Sequence, residues 1–148
     1  MKNITTVILA AGSSTRFIAK KSKLTQELAG LPIVSHVYNI AKKISGNNIV
    51  VVCNKKNHQE LKLLLSGCKF VIQKTQKGTA DAIETAKPYI KTENLIVLFG
   101  DVPLIASSSL INLIRSFKHN NASMIAFKSS KPKGYGRVIL NNKKVEKV

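Results

Sequence analysis

The chain has 148 residues, 44% of them apolar, which suits one domain with a buried core and excludes a disordered chain. Its formal net charge of +17, from 24 basic and 7 acidic side chains, raises nucleic acid as a partner. The basic residues are scattered, however, only 5% of residues are aromatic and Trp is absent. Stacking platforms for bases are therefore scarce, and a generally basic surface is expected rather than a nucleic-acid face.

Residues 4–10 form a short apolar run that ends in Gly12-Ser13-Ser14-Thr15. The pattern predicts a buried strand followed by a phosphate-type loop. Read instead as a signal peptide, the run is at the low end of length and contains Thr5 and Thr6. Residues 17–30 are polar and basic and read as a long loop. Pro32 then opens an amphipathic helix carrying Ile33, Val34, Val37, Ile40, Ala41 and Ile44 on one face, with Gly46 as its stop.

A second buried strand is expected at residues 49–53, then a helix with Leu61, Leu64 and Leu65, then a third strand at residues 70–72. Cys53 and Cys68 sit in these apolar runs without CxxC spacing, so they read as reduced core thiols of a cytoplasmic protein. A helix follows from Thr79 to about Ala86, stopped near Pro88. Residues 95–99 form a fourth strand that ends in Gly100-Asp101-Val102-Pro103. Ser107, Ser108 and Ser109 are able to cap a further helix, residues 122–127 read as a fifth strand, and Gly134-Tyr135-Gly136-Arg137 opens a last one. Asn141-Asn142 is a hairpin turn signal. No run approaches the length of a membrane span.

Strands that alternate with helices and are continuously apolar predict an α/β fold: a mostly parallel sheet covered by helices on both faces. Ligands of such sheets bind at the carboxyl ends of strands. The loops after the first, third and fourth strands hold every unusual motif in the chain. Gly12 and the amides after it are able to point N–H groups at phosphate oxygens, and Arg16 adds a planar cation. The same segment is compatible with a plain strand-to-loop turn. The Walker and GxGxxG patterns are absent, which argues against a P-loop ATPase or a dinucleotide enzyme. Asp101, after four apolar residues, is costly to bury without a cation, and suits Mg²⁺ shared with substrate phosphates; alone it also suits a Gly-Asp turn. Gln73 could donate and accept at a base edge or be a solvated loop residue. His36, His58 and His119 lack acidic or Cys partners in a ligand pattern and read as non-catalytic.

The segments LAAGSSTRF, LAGLPIVSHV, QKGTADAI, FGDVPLI and GYGRV resemble, in order and spacing, one family. It is the uridylyltransferase domain of the bacterial bifunctional N-acetylglucosamine-1-phosphate uridylyltransferase/glucosamine-1-phosphate acetyltransferases. The resemblance implies a Rossmann-like nucleotidyltransferase fold and transfer of UMP from UTP to N-acetylglucosamine 1-phosphate with Mg²⁺. It implies that Leu9, Ala10, Ala11 and Gly12 hold uracil and ribose, and that Arg16 and Lys23 engage phosphates. Gln73, Gly78 and Thr79 would read the uracil edge. Phe99, Gly100 and Asp101 would form the strand end with the metal-binding carboxylate, and Gly136 would contact the sugar.

The chain departs from the family at Ser14, where a glycine is usual, at Ser22, where Pro precedes the loop lysine, and at Phe99, usually Tyr. The family's domain also continues past the GYGR strand with further sugar and metal ligands. The expectation is thus a single domain over residues 1–148, incomplete at its C-terminus. Its alternatives are a non-catalytic remnant that at most binds nucleotide, or a half completed by a separate chain.

Overall fold

The computed structural model describes residues 3–12, 22–117, 122–142 and 144–147. The chain divides into two compact units, residues 1–105 and 106–148.

The first unit is built on β1 (Ile4–Leu9). After it come a short hairpin, β2 (Glu27–Leu28) and β3 (Leu31–Pro32), then α1 (Ile33–Ser45) and β4 (Ile49–Cys53). Then follow α2 (His58–Leu64), β5 (Lys69–Ile72), α3 (Thr79–Ala86) and β6 (Asn94–Phe99). Four strands form one sheet in the order β5-β4-β1-β6, and every pair is parallel. The α/β expectation holds, and the four predicted strands of this unit form within a residue of their expected bounds.

β1 is central and paired on both sides, Val7 with Val50 and with Val97. Its side chains therefore divide between two faces. Val7, Val50 and Val52 pack with Ala82 and Ala86 of α3. On the other face the Thr6 and Ser45 hydroxyls meet at 2.6 Å, which fixes α1 against β1. Helices cover both faces as expected, with α1 and α3 on opposite sides. The polar members of the first run are also explained. Thr6 is fully buried on Ser45, and the buried Thr5 hydroxyl meets Thr92 at 2.8 Å. Each buried hydroxyl has a partner, so the run remains a strand despite them.

α1 buries Val34, Val37, Tyr38, Ala41 and Ile44, and Gly46 ends it with its amide on the Lys42 carbonyl. In α2, Leu61 and the following Leu65 point inward, whereas Leu64 is exposed. His36 bonds the Leu28 carbonyl at 2.7 Å, and His58 meets Phe70 edge to face. Both histidines thus have structural contacts, while His119 lies outside the described residues. Residues 17–30 were expected as a loop. Their described part instead contains a 3₁₀ turn at Lys23–Thr25 and β2, which pairs with β3 across a two-residue turn at Ala29-Gly30. Two-residue strands are too short to produce a periodic signal.

The second unit holds α4 (Ser107–Phe117) and the antiparallel pair β7 (Ile139–Asn141) and β8 (Lys144–Lys147). The Asn141-Asn142 hairpin signal is met, with Asn142 at φ 48°. The strand expected at residues 122–127 does not form: it pairs with no ladder, and Met124, Ile125 and Phe127 are exposed. An apolar run becomes a strand only when a neighbour takes its backbone groups. Among the described residues, no helix is long and apolar enough to cross a membrane.

Burial raises both thiols, Cys53 and Cys68, to about 11, with Lys42 pulling Cys68 partly back. Raised values keep both groups as neutral thiols at neutral pH, and the thiolate is the reactive form. Labelling of folded protein by a disulfide reagent at pH 8 is expected to be slow for both, with two thiols appearing on denaturation. A stoichiometric fast phase in the folded state would contradict this burial.

Candidate nucleotide-binding site

In the sheet order, β4 and β5 lie on one side of β1 and β6 on the other. The switch point is therefore between β1 and β6, and its crevice opens at their carboxyl ends. The first and fourth predicted loops leave from these two ends. They are tied together directly: the Gly100 amide donates to the Leu9 carbonyl at 2.9 Å.

That contact explains the glycine. A Cβ at position 100 would meet the Leu9 carbonyl oxygen at 3.1 Å and Leu24 Cδ2 at 3.3 Å. Leu24 is buried beneath this point and anchors the 3₁₀ turn that carries Lys23. Ser22, where the resembling family has Pro, takes part in that turn. Its hydroxyl accepts from the Leu24 amide at 3.4 Å and its carbonyl from the Thr25 amide at 3.1 Å. So anchored, Lys23 reaches across to Asp101, Nζ to Oδ2 at 2.9 Å, with both side chains over 40% exposed. An ion pair this exposed is worth at most about 1 kcal/mol.

The exit of β1 is held from the opposite side. The buried Asn57 donates Nδ2 to the Ala10 carbonyl at 2.7 Å. Asn54 donates Nδ2 to the Ala11 carbonyl at 3.0 Å, and Gln76 donates Nε2 to the same oxygen at 2.6 Å. Asn54 and Asn57 brace each other in the turn after β4, where Asn57 Oδ1 accepts the Asn54 amide at 2.9 Å and Asn54 Oδ1 accepts the Asn57 amide at 3.0 Å.

The loop after β5 carries the third motif. Gln73 extends the ladder, its amide donating to the Cys53 carbonyl at 2.8 Å. Its side chain is buried and donates Nε2 to Asp81 Oδ2 at 2.6 Å and to the Gly78 carbonyl at 3.4 Å. Gly78 has φ 110° and ψ −173°, a conformation in which a Cβ is strained, and no side chain caps the helix it opens. Thr79 begins that helix on the exposed side.

Leu9, Ala10, Ala11, Gly12, Lys23, Phe99, Gly100 and Asp101 thus converge on two adjoining strand ends. Gln73, Gly78 and Thr79 lie on the next loop, joined to that exit by Gln76. Gly136 belongs to the second unit, in a turn braced by Arg137 Nη1 on the Pro132 carbonyl at 2.8 Å. Arg16 lies outside the described residues, as do Ser13, Ser14 and Thr15. No group of three His, Cys, Asp or Glu side chains gathers among the described residues. Sequence reasoning missed Asn54, Asn57, Gln76 and Asp81. An Asn pair three apart between a strand end and a helix start was the available signal for the first two.

A parallel sheet of this order, with the motif-bearing loops at its switch point, is a doubly wound Rossmann-like fold. The chain belongs to the family of MobA-like NTP transferase domains, which matches residues 6–142. It is similar to the bifunctional protein GlmU of Buchnera aphidicola subsp. Schizaphis graminum, at 40% identity over 99% of this chain. It spans 32% of that protein, about a third of its length. Among solved structures, the bifunctional IspDF of Campylobacter jejuni superposes with a TM-score of 0.68 at 22% identity, over 80% of this chain and 31% of that one. CMP:2-keto-3-deoxy-manno-octonic acid synthetase complexed with CTP gives 0.63 at 22% identity, over 82% and 49%. These last two likenesses concern the fold.

Gly100→Ala tests the junction of the two strand ends. The backbone oxygen it would crowd is fixed in the sheet, so a loss of about 1–3 kcal/mol is expected. Thermal denaturation measures it, and an unchanged midpoint would show that the strand ends separate freely.

Proposed function

We propose that the chain is a uridylyltransferase module that transfers UMP from UTP to N-acetylglucosamine 1-phosphate, giving UDP-N-acetylglucosamine and pyrophosphate. The supporting observation is the pairing of Lys23 with Asp101 beside the Leu9–Gly100 junction at the switch point. A cation on one strand exit and a carboxylate on the other suit a triphosphate and its metal. The resemblance of the five motifs to the uridylyltransferase domain family supports the choice of uracil and amino sugar over other nucleotides and acceptors.

Leu9, Ala10, Ala11 and Gly12 provide the platform for uracil and ribose, and the Gly12 amide also faces the phosphates that follow the ribose. Gln73, Gly78 and Thr79 face the uracil edge, and Phe99 and Gly100 close the opposite wall. Lys23 and Arg16 neutralise the phosphates. Asp101 fits Mg²⁺. It is a hard oxygen donor, about half exposed, and Mg²⁺ is commonly held by one or two carboxylates with phosphate and water oxygens. Bound there, the ion would neutralise phosphate charge. An oxygen of the sugar phosphate forms a bond to the α-phosphorus as the bond to the β-phosphate oxygen breaks, and pyrophosphate leaves. No covalent enzyme intermediate is needed, so the chain's contribution is positioning and electrostatics. In this scheme Lys23 exchanges Asp101 for phosphate, at little cost because the pair is exposed.

The expected result is pyrophosphate release from UTP that requires both Mg²⁺ and N-acetylglucosamine 1-phosphate. Asp101→Asn is expected to lower the rate by roughly 100-fold or more. Lys23→Met is expected to weaken UTP binding by about tenfold, a loss typical of a charge-assisted hydrogen bond. UTP binding by calorimetry without release at any Mg²⁺ concentration would replace this reading with that of a nucleotide binder that does not turn over. Absence of both would overturn it.

A further inference from the structure

We infer that Gln76 is a positioning residue that aims the backbone amide of Gly12 at the ligand's phosphates. The inference rests on the nucleotide-binding reading above. Three carbonyls at the end of β1 carry the argument.

In a strand, successive carbonyls point to alternate sides. Leu9 follows the rule, accepting Gly100 on the β6 side. Ala10 follows it too. Its amide goes to Val52 at 2.7 Å and its carbonyl to Asn57, both on the β4 side. Ala11 breaks it. Its carbonyl should swing back toward β6, yet it is held by Asn54 from the β4 exit and by Gln76 from the β5 exit. Two donors occupy both lone pairs of that oxygen. The peptide is planar and trans, so the N–H of residue 12 points opposite to the carbonyl of residue 11. Holding the Ala11 oxygen toward Asn54 and Gln76 therefore directs the Gly12 N–H away from them, on the side where β6 delivers Asp101.

The two donors differ in what their loss should do. Asn54 also shapes the turn after β4, accepting the Lys56 and Asn57 amides, so removing it disturbs local structure. Gln76 is an exposed loop residue whose assigned bond is the one to Ala11. Its removal should leave the fold intact and leave the Ala11–Gly12 peptide held by Asn54 alone, with more freedom to rotate. The same bond joins the loop of Gln73 and Gly78 to the β1 exit, so the proposed base end and phosphate end of the site share a single peptide.

The test compares wild type with Gln76→Ala and Gln76→Glu in the full chain. Titrations with Mg²⁺-UTP and with uridine are read by calorimetry and by the ¹⁵N–¹H signal of Gly12. With Gln76→Ala the UTP affinity should fall roughly three- to tenfold, the range for one hydrogen bond. Uridine affinity should change less, because uridine has no phosphate to meet Gly12. Gln76→Glu, which sets an acceptor against the Ala11 oxygen, should lose at least as much. The thermal midpoint should stay within about 2 °C and the Gly12 signal should shift in both variants. Equal loss for UTP and uridine, or unchanged UTP affinity in a wild type that binds UTP, overturns the inference. Should wild type bind no UTP, the functional reading fails separately. The Gly12 signal then decides: a shift in both variants supports the positioning role, and an unmoved signal overturns it.

Discussion

A parallel strand buried on both faces has no room for an unpartnered polar group except at its ends. β1 is such a strand, with neighbours on both edges and helices on both faces. The first unit follows from satisfying it. Its two threonines, the polar exceptions, are each matched by one hydroxyl from the surrounding structure, Ser45 from α1 and Thr92 from the segment before β6. At its carboxyl end the ladder stops, and three consecutive carbonyls need donors that the sheet no longer supplies. One comes from the Gly100 backbone, and the others come from carboxamides of two neighbouring loops. The candidate site is assembled by that requirement, because each donor brings its own loop to the same point.

Charge is distributed in keeping with this arrangement. The chain has two aspartates among its 7 acidic residues: Asp101 stands at the exit of β6, and Asp81 lies in the first turn of α3. Asp81 accepts from the buried Gln73, and Asp101 pairs with Lys23. In a chain of net charge +17, an unpaired carboxylate at this edge would draw in whichever lysine is near. The buried Leu24 makes that lysine a specific one, by fixing the turn from which Lys23 extends.

The strands and helices of the first unit were legible because continuous apolar runs and a helical period each extend over several residues. The switch-point loops were legible because Gly12, Gly100 and Asp101 interrupt such runs abruptly. Asn54, Asn57 and Gln76 were not. A carboxamide has no periodicity, and its role depends on which carbonyl the fold brings within reach. Gln73 shows the same limit. Its position in the loop was foreseen, but the partner that fixes its amide, Asp81, lies eight residues further on, in the first turn of α3. Residues 122–127 erred in the other direction, since their apolar pattern promised a strand and no ladder received it.

The holding interactions at this site differ in strength in a way that suits repeated ligand exchange. Asn57 is buried, and its hydrogen bond to Ala10 cannot be surrendered without leaving a buried carbonyl unmet, a loss of about 1–3 kcal/mol. The Lys23–Asp101 pair is reached from solvent, where water or phosphate oxygens can take over from a departing partner. The rigid contacts therefore lie beneath the strand exits and the exchangeable pair above them. A phosphate entering over Gly12 would meet a fixed backbone floor and a movable cation. In the proposed reaction, which depends on positioning and electrostatics, this arrangement would let charge follow the departing pyrophosphate while the peptide planes stay in place.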